Sequence, residues 1–87
     1  MDDFLFPKDV TLFKFIEMEM GMRHVAPTLH EMALAMGLKK VSVAIVSRRL
    51  ARLEEAGLIK RVWGRHRGLV ITGRLEKIGF NLVEEQS

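Results

Sequence analysis

Small and arginine side chains occur together in residues 42–57, and these residue types can contact an anion or the edge of a base. Ser42 can cap a helix, and Gly57 can adopt the left-handed conformation that ends one. Apolar residues recur every three or four positions and predict one buried stripe: Val43, Val46, Leu50 and Leu53. The opposite side is small and basic: Ala44, Ser47, Arg48 and Arg52. Such a helix fits a duplex major groove, where arginine bonds guanine or phosphate; a solvated amphipathic helix is the alternative.

The segments on either side of this helix favour the first interpretation. Thr28 and Glu31 have the spacing of a capping box, which predicts a helix over residues 28–36 that Gly37 ends. Two short helices joined by a turn, the second of them basic, are typical of a helix-turn-helix. Residues 58–72 then read as a β-hairpin, because two runs of β-formers flank a glycine-bounded loop. The loop is basic and would form the tip of a wing: Arg65, His66 and Arg67.

The two ends of the chain complete the predicted architecture. Residues 7–22 are predicted as a first helix with Pro7 at its start. This helix has two apolar stripes, and the second (Phe15, Met18 and Met22) packs against either another part of the chain or a partner subunit. Residues 73–85 are interpreted as helical, although Ile78, Phe80 and Leu82 also alternate as in a strand. We expect a single α+β domain over residues 1–87, mainly helical with a small hairpin: a winged helix-turn-helix.

Three blocks of residues resemble a known family, the winged helix-turn-helix DNA-binding domain of LexA-type repressors. The blocks are Pro27-Thr28-x-x-Glu31-Met32-Ala33-x-x-x-Gly37, Leu50-x-x-Leu53-x-x-x-Gly57-Leu58-Ile59 and Gly64-x-x-Arg67-Gly68-Leu69. The resemblance covers residues 5–72, and Val46-Ser47-Arg48-Arg49-Leu50 is also similar to MarR-type regulators, in which a helix after the wing pairs two subunits.

The sequence departs from the LexA-type pattern in two respects. The turn from Gly37 to Ser42 is longer, which leaves the docking angle of the next helix open. No segment resembles the self-cleaving serine/lysine peptidase domain of LexA, so the resemblance implies the DNA-binding module and not autoproteolysis.

Composition narrows the classes of function further. The chain has 87 residues and no cysteine, which excludes disulfides and thiolate metal sites. No apolar run reaches the length of a membrane span, and the acidic N-terminus argues against a secretory signal, so we expect a cytoplasmic protein. Residues 1–36 carry three Lys/Arg against six Asp/Glu, whereas residues 37–87 carry eleven against five. The basic second part favours a polyanionic partner.

Enzyme chemistry and metal binding are not supported by any motif. His30 and Glu31 begin like a zinc-protease helix, but Leu34 stands where the second histidine ligand would be. No phosphate-binding glycine loop, nucleophile elbow or pair of catalytic carboxylates occurs. We therefore expect no catalytic activity, no metal and no cofactor, and the sequence identifies no effector.

The leading hypothesis is a transcriptional regulator, a repressor by resemblance, that binds double-stranded DNA as a homodimer. The predicted base contacts are Val43, Ala44, Ser47 and Arg48. The predicted phosphate contacts are Thr28, Lys39, Lys40, Ser42, Arg49 and Arg52. Two apolar stripes are assigned to the dimer interface: Phe15, Met18 and Met22 with Leu75, Ile78 and Leu82. The alternative hypotheses are a winged-helix module that binds other proteins and, with fewer features in its favour, an RNA-binding domain.

Overall fold

The computed structural model describes residues 3–37, 43–62 and 68–82. Strand β1 (Asp3–Leu5) leads into helix α1 (Pro7–Arg23), which is followed by α2 (Leu29–Ala35) and α3 (Val43–Glu55). Strands β2 (Ile59–Arg61) and β3 (Leu69–Ile71) form an antiparallel hairpin. A 3-10 turn (Leu75–Lys77) then leads into β4 (Phe80–Leu82), which pairs with β1 in parallel. The expected winged helix-turn-helix is confirmed.

Local sequence signals explain where the first two helices begin and end. Pro7 occupies the first turn of α1, and the Asp9 carboxylate accepts a hydrogen bond from the Phe6 amide at 2.8 Å. The helix continues through Gly21 and ends at His24, whose φ of 61° is left-handed. At the start of α2, Thr28 Oγ1 accepts from the Glu31 amide and Glu31 Oε1 accepts from the Thr28 amide, at 3.0 and 2.8 Å. This reciprocal pair is the capping box expected from the sequence.

Helix α3 ends at the glycine that its sequence indicates. Gly57 has a φ of 79°, and its amide donates to the Glu54 carbonyl. The Leu58 amide donates to the Leu53 carbonyl at 3.0 Å, which completes a Schellman motif. The chain therefore leaves α3 in a fixed direction and enters β2 directly.

One apolar core joins the three helices and both sheets. Its buried members come from the three helices and from β1, β2 and β3, and the largest fully buried side chains are Phe13, Leu5, Leu12, Ile16, Leu50, Leu53, Leu58 and Ile59. Helix α3 contributes Val46, Leu50 and Leu53, as expected, whereas Val43 is 40% exposed. Leaving Val43 at the surface makes it part of the outer side of α3.

The C-terminal segment differs from the helix predicted for residues 73–85. Residues 75–77 form a single 3-10 turn and residues 80–82 form a strand, so the helical interpretation is wrong over the described part of this segment. Leu75, Ile78 and Phe80 pack against the core of their own chain. The reason is a long-range pairing: β1 supplies hydrogen-bonding partners for β4, with Leu5 opposite Leu82.

Candidate nucleic-acid interface

The outer face of α3 is the surface formed by Val43, Ala44, Ser47, Arg48 and Ala51. Ala44, Arg48 and Ala51 are exposed, while Ser47 is half-buried at one edge. This face combines small side chains with one exposed arginine and carries no carboxylate. An α-helix with such a side can approach a duplex closely, because nothing bulky or acidic keeps the backbone away from the base edges.

One edge of α3 is attached to α1 by a buried ionic cluster. Asp9 is fully buried, and its Oδ1 accepts a hydrogen bond from Arg49 Nη1 at 2.9 Å. Arg52 bonds the same carboxylate with Nε and Nη2, at 2.8 and 3.2 Å. The Arg52 guanidinium also lies over the Phe6 ring, 4.8 Å from its centroid. Charge-assisted bonds of this kind in a buried place hold α3 firmly against the start of α1.

This cluster corrects two of the predicted phosphate contacts. Arg49 is only 6% exposed, so its guanidinium does not reach a ligand outside the domain. The Arg52 side chain is 29% exposed, and it is bonded to Asp9 through two of its nitrogens. The sequence places both arginines on a basic helix, but the buried carboxylate that binds them is 40 or more residues earlier in the chain.

Thr28 caps the start of α2, as its spacing from Glu31 predicts. Its amide and its hydroxyl oxygen are both engaged with Glu31 in the capping box. The other Glu31 carboxylate oxygen accepts from Arg23 Nη1 at 3.1 Å. The hydroxyl accepts in this capping box and keeps its own proton to donate, so the phosphate contact assigned to Thr28 stays a prediction.

The second edge of α3 contacts the hairpin through a residue that the sequence analysis did not select. Arg61 Nη1 donates to Ser47 Oγ at 3.2 Å, and the Arg61 amide donates to Glu54 Oε2 at 3.1 Å. Ser47 and Glu54 are seven residues apart and therefore lie on the same side of a helix. The signal for Arg61 is partial: it is two residues after the buried Ile59, so strand alternation turns it toward α3 once β2 packs there.

Several predicted contacts lie outside the described residues. These are Lys39, Lys40 and Ser42, which precede α3 in the sequence, and Arg65, His66 and Arg67, which lie between β2 and β3 in the sequence. The segment between Gly37 and Ser42, which the sequence analysis compares with the LexA-type turn, also lies outside the described residues. Gly37, at the start of that segment, has the left-handed φ of 75° expected after α2.

The predicted dimer surface is only partly exposed. Met18, Met22 and Leu82 are 52%, 73% and 59% exposed. Phe15, Leu75 and Ile78 instead pack against the core of their own chain. The second stripe of α1 is thus divided: Phe15 belongs to the domain itself, and the two methionines remain at its surface.

No feature of a metal site or membrane span was found within residues 3–37, 43–62 and 68–82. Those residues contain no group of three or more histidine and carboxylate side chains placed to hold a metal ion. None of their helices is long and apolar enough to cross a bilayer.

The fold is that of a winged helix-turn-helix protein. It has three helices and an antiparallel hairpin, α2 begins with a capping box, and α3 has a small and basic outer face. The family model described as the LexA DNA binding domain matches residues 3–68. The LexA repressor of Syntrophotalea carbinolica is 36% identical over 73 residues, which cover 84% of this chain and 35% of that repressor. The chain belongs to the LexA DNA-binding domain family. It spans about a third of the length of the repressor it matches.

Proposed function

We propose that this chain binds double-stranded DNA sequence-specifically, with the outer face of α3 in the major groove, and thereby regulates transcription. The observation that supports this most is the outer face itself, which exposes Arg48 between two alanines on a helix held from both edges. A helix fixed in this way presents its side chains in one orientation, which direct base recognition requires.

Four residues of the outer face have a role in this proposal. Arg48 is exposed, and its guanidinium can donate two parallel hydrogen bonds to the O6 and N7 atoms of guanine. Val43 and Ala44 lie at the start of α3 and offer apolar contact to a thymine methyl group. Ser47 supplies a hydroxyl at the edge nearest the hairpin.

Phosphate contacts are assigned to basic and polar residues around this face. We include Lys39, Lys40 and Ser42 before α3, and Arg65, His66 and Arg67 in the hairpin loop, where the flanking backbone or minor groove would be reached. Thr28 is kept at the start of α2, because its hydroxyl proton can still be donated. Arg49 and Arg52 are withdrawn because their guanidinium groups are bonded to Asp9 within the domain. Binding to chromosomal DNA would place the protein in the cytoplasm.

Repression and homodimerisation belong to the same proposal. The matched relative is named a repressor, which supports repression by this chain through occupation of an operator. A single small domain makes few base contacts, and two-fold pairing doubles them over an inverted repeat. The exposed apolar side chains Met18, Met22 and Leu82 are the surface we assign to that pairing.

A selection from a random duplex library tests the function and the dimer together. The chain is mixed with the library at low salt, bound duplexes are recovered by gel shift, and the enriched duplexes are sequenced. We expect an inverted repeat to be enriched, and we expect its affinity to fall steeply as salt rises, because counterions are released from the phosphates.

The possible outcomes separate the two parts of the proposal. Enrichment of a single unrepeated motif would contradict the homodimer while supporting sequence-specific binding. Failure to retain any duplex at low salt would overturn DNA binding and favour the protein-interaction alternative.

A further inference from the structure

The contact between Arg61 and Ser47 joins the hairpin to the outer face of α3. Arg61 lies opposite Leu69 in the hairpin register and shares a strand face with Ile59, which is 2% exposed. Lys60, between them, is exposed on the other face. An apolar side chain is the usual occupant of a position that faces a helix, so a guanidinium at this position indicates a polar task.

The hydrogen bond has a fixed direction. A guanidinium is only a donor, so Ser47 Oγ is the acceptor in the 3.2 Å contact with Arg61 Nη1. Within the part of the chain that the structure describes, the Ser47 hydroxyl donates no hydrogen bond in return. Its proton is therefore available to an acceptor outside the domain, and the positive charge behind the oxygen makes the hydroxyl a stronger donor.

The backbone of Arg61 is fixed as well as its side chain. Its amide donates to Glu54 Oε2, and Glu54 lies two helical turns after Ser47 on the same side of α3. Strand β2 is also paired with β3, through the partners Ile59–Ile71, Lys60–Val70 and Arg61–Leu69. The Arg61 guanidinium thus approaches Ser47 from a strand that is held by β3 on one side and by Glu54 of α3 on the other. This anchoring limits the orientations that the Ser47 hydroxyl can adopt.

We propose that Ser47 and Arg61 act as one base-reading unit, in which Arg61 positions the Ser47 hydroxyl to donate to a guanine in the major groove. This inference rests on the proposed DNA binding of α3. Guanine is the expected partner because its major-groove edge offers two acceptors, N7 and O6, and no donor that would repel the hydroxyl proton or the nearby guanidinium. Arg48, on a different part of the outer face, reads a separate base pair.

The test uses the duplex enriched by selection and a panel containing every single-base-pair change in it. Affinities are measured for Ser47→Ala, Arg61→Gln, Arg61→Lys and the double variant Ser47→Ala, Arg61→Gln. Lys60→Gln is the matched control, because it removes a cation from the same strand on the opposite face. Thermal unfolding of each variant shows whether the domain has been weakened.

We expect Ser47→Ala and Arg61→Gln each to weaken binding roughly 5- to 100-fold and to lose preference at the same guanine pair. The double variant should bind no more weakly than whichever single variant has the lower affinity, because both substitutions remove the same contact. Arg61→Lys should not restore the preference, since a single ammonium group does not reproduce the fork of a guanidinium. Replacing that guanine by hypoxanthine, which has the same major-groove acceptors, should leave wild-type affinity unchanged.

Three results would overturn the inference. Uniform loss over the whole panel in Arg61→Gln, recovered by Arg61→Lys, would make Arg61 a phosphate contact. Loss of thermal stability with unchanged base preference would give Arg61 a purely structural role. Loss of preference at two different base pairs would separate the two residues. If selection enriches no duplex, the proposed function fails together with this inference.

Discussion

The carboxylate of Asp9 joins three parts of the chain: the turn before α1, the buried Arg49 and the half-buried Arg52. It accepts from the Phe6 amide, from Arg49 Nη1 and from two nitrogens of Arg52. Such a cluster contributes less to stability than its short distances suggest, because three charged groups lose water when it forms. Its main effect is positional, since it fixes the rotation of α3 about its own axis.

The buried guanidinium makes Asp9 costly to remove. Asp9→Ala breaks the buried ion pair between Asp9 and Arg49 by removing one partner, so we expect the free energy of unfolding to fall by about 3–5 kcal/mol. Arg52 can turn toward solvent and adds less to this loss. Thermal or urea unfolding measures the change, with Glu17→Ala, an exposed carboxylate on the same helix, as the control.

A second substitution separates the buried charge from the lost volume. Adding Arg49→Met to Asp9→Ala removes the charge and keeps a long apolar side chain, so part of the stability should return. If the double variant is less stable than Asp9→Ala, the charge of Arg49 is not what makes the single variant unstable.

At the scale of the elements, sequence patterns predicted the structures that local interactions determine. The capping box at Thr28, the glycine that ends α3 and the hairpin after it depend on residues close together in the chain, and each occurs as expected. The segment after Thr72 was predicted incorrectly because its structure depends on β1, whose residues are 77 positions before their partners in β4. The alternation of Ile78, Phe80 and Leu82 fitted a strand, but no local feature identified a partner strand.

The difference between local and long-range interactions also explains which residues of the candidate site were predicted correctly. Arg48 and Ala44 were assigned to the surface from helical spacing, and they are exposed. The same spacing assigned Val43 to the buried stripe, but Val43 is 40% exposed. Arg49 was assigned to a phosphate because the sequence does not show that Asp9 lies beside it. Arg61 was not predicted, because the sequence does not show that β2 lies against α3, and only this packing gives strand alternation a direction.

The junction between the hairpin and α3 depends on a close approach at Gly73. A Cβ atom added there would lie 2.5 Å from the Gly57 carbonyl oxygen, which is backbone and does not move easily. Thr72 fixes the same junction: its Oγ1 donates to the Gly57 carbonyl and its amide to the Leu58 carbonyl, at 2.9 and 2.8 Å. The domain therefore has no room for a side chain at Gly73.

We expect Gly73→Ala to lower the free energy of unfolding by about 1–3 kcal/mol, because the two backbone segments must separate. Gly21→Ala is the matched control: it lies in α1 with nothing within 4 Å of the added atom. That control should be neutral or stabilising by about 0.5–1 kcal/mol. Equal unfolding midpoints for the two variants would contradict the close approach at Gly73.

At the scale of the whole molecule, charge and anchoring act together. The acidic excess lies in residues 1–36 and the basic excess in residues 37–87. Asp9 forms ion pairs with two of the arginines of α3, and Glu31 and Glu19 bind Arg23 at the end of α1. Arg48 is the arginine of α3 that remains exposed on its outer face. Two arginines of α3, Arg49 and Arg52, therefore attach the helix to α1, and the third, Arg48, is exposed to bind a ligand.

The central claim is that the outer face of α3 reads duplex DNA, and the affinity of Arg48→Ala for the selected duplex tests it most directly. We expect this variant to fold as the wild type does, to lose about 1–3 kcal/mol of binding free energy and to lose preference at one base pair. Lys14→Ala, which removes an exposed cation from α1, should keep both affinity and preference. If Arg48→Ala and Lys14→Ala bind the panel of duplexes equally well and with the same preference, α3 does not read the DNA as proposed.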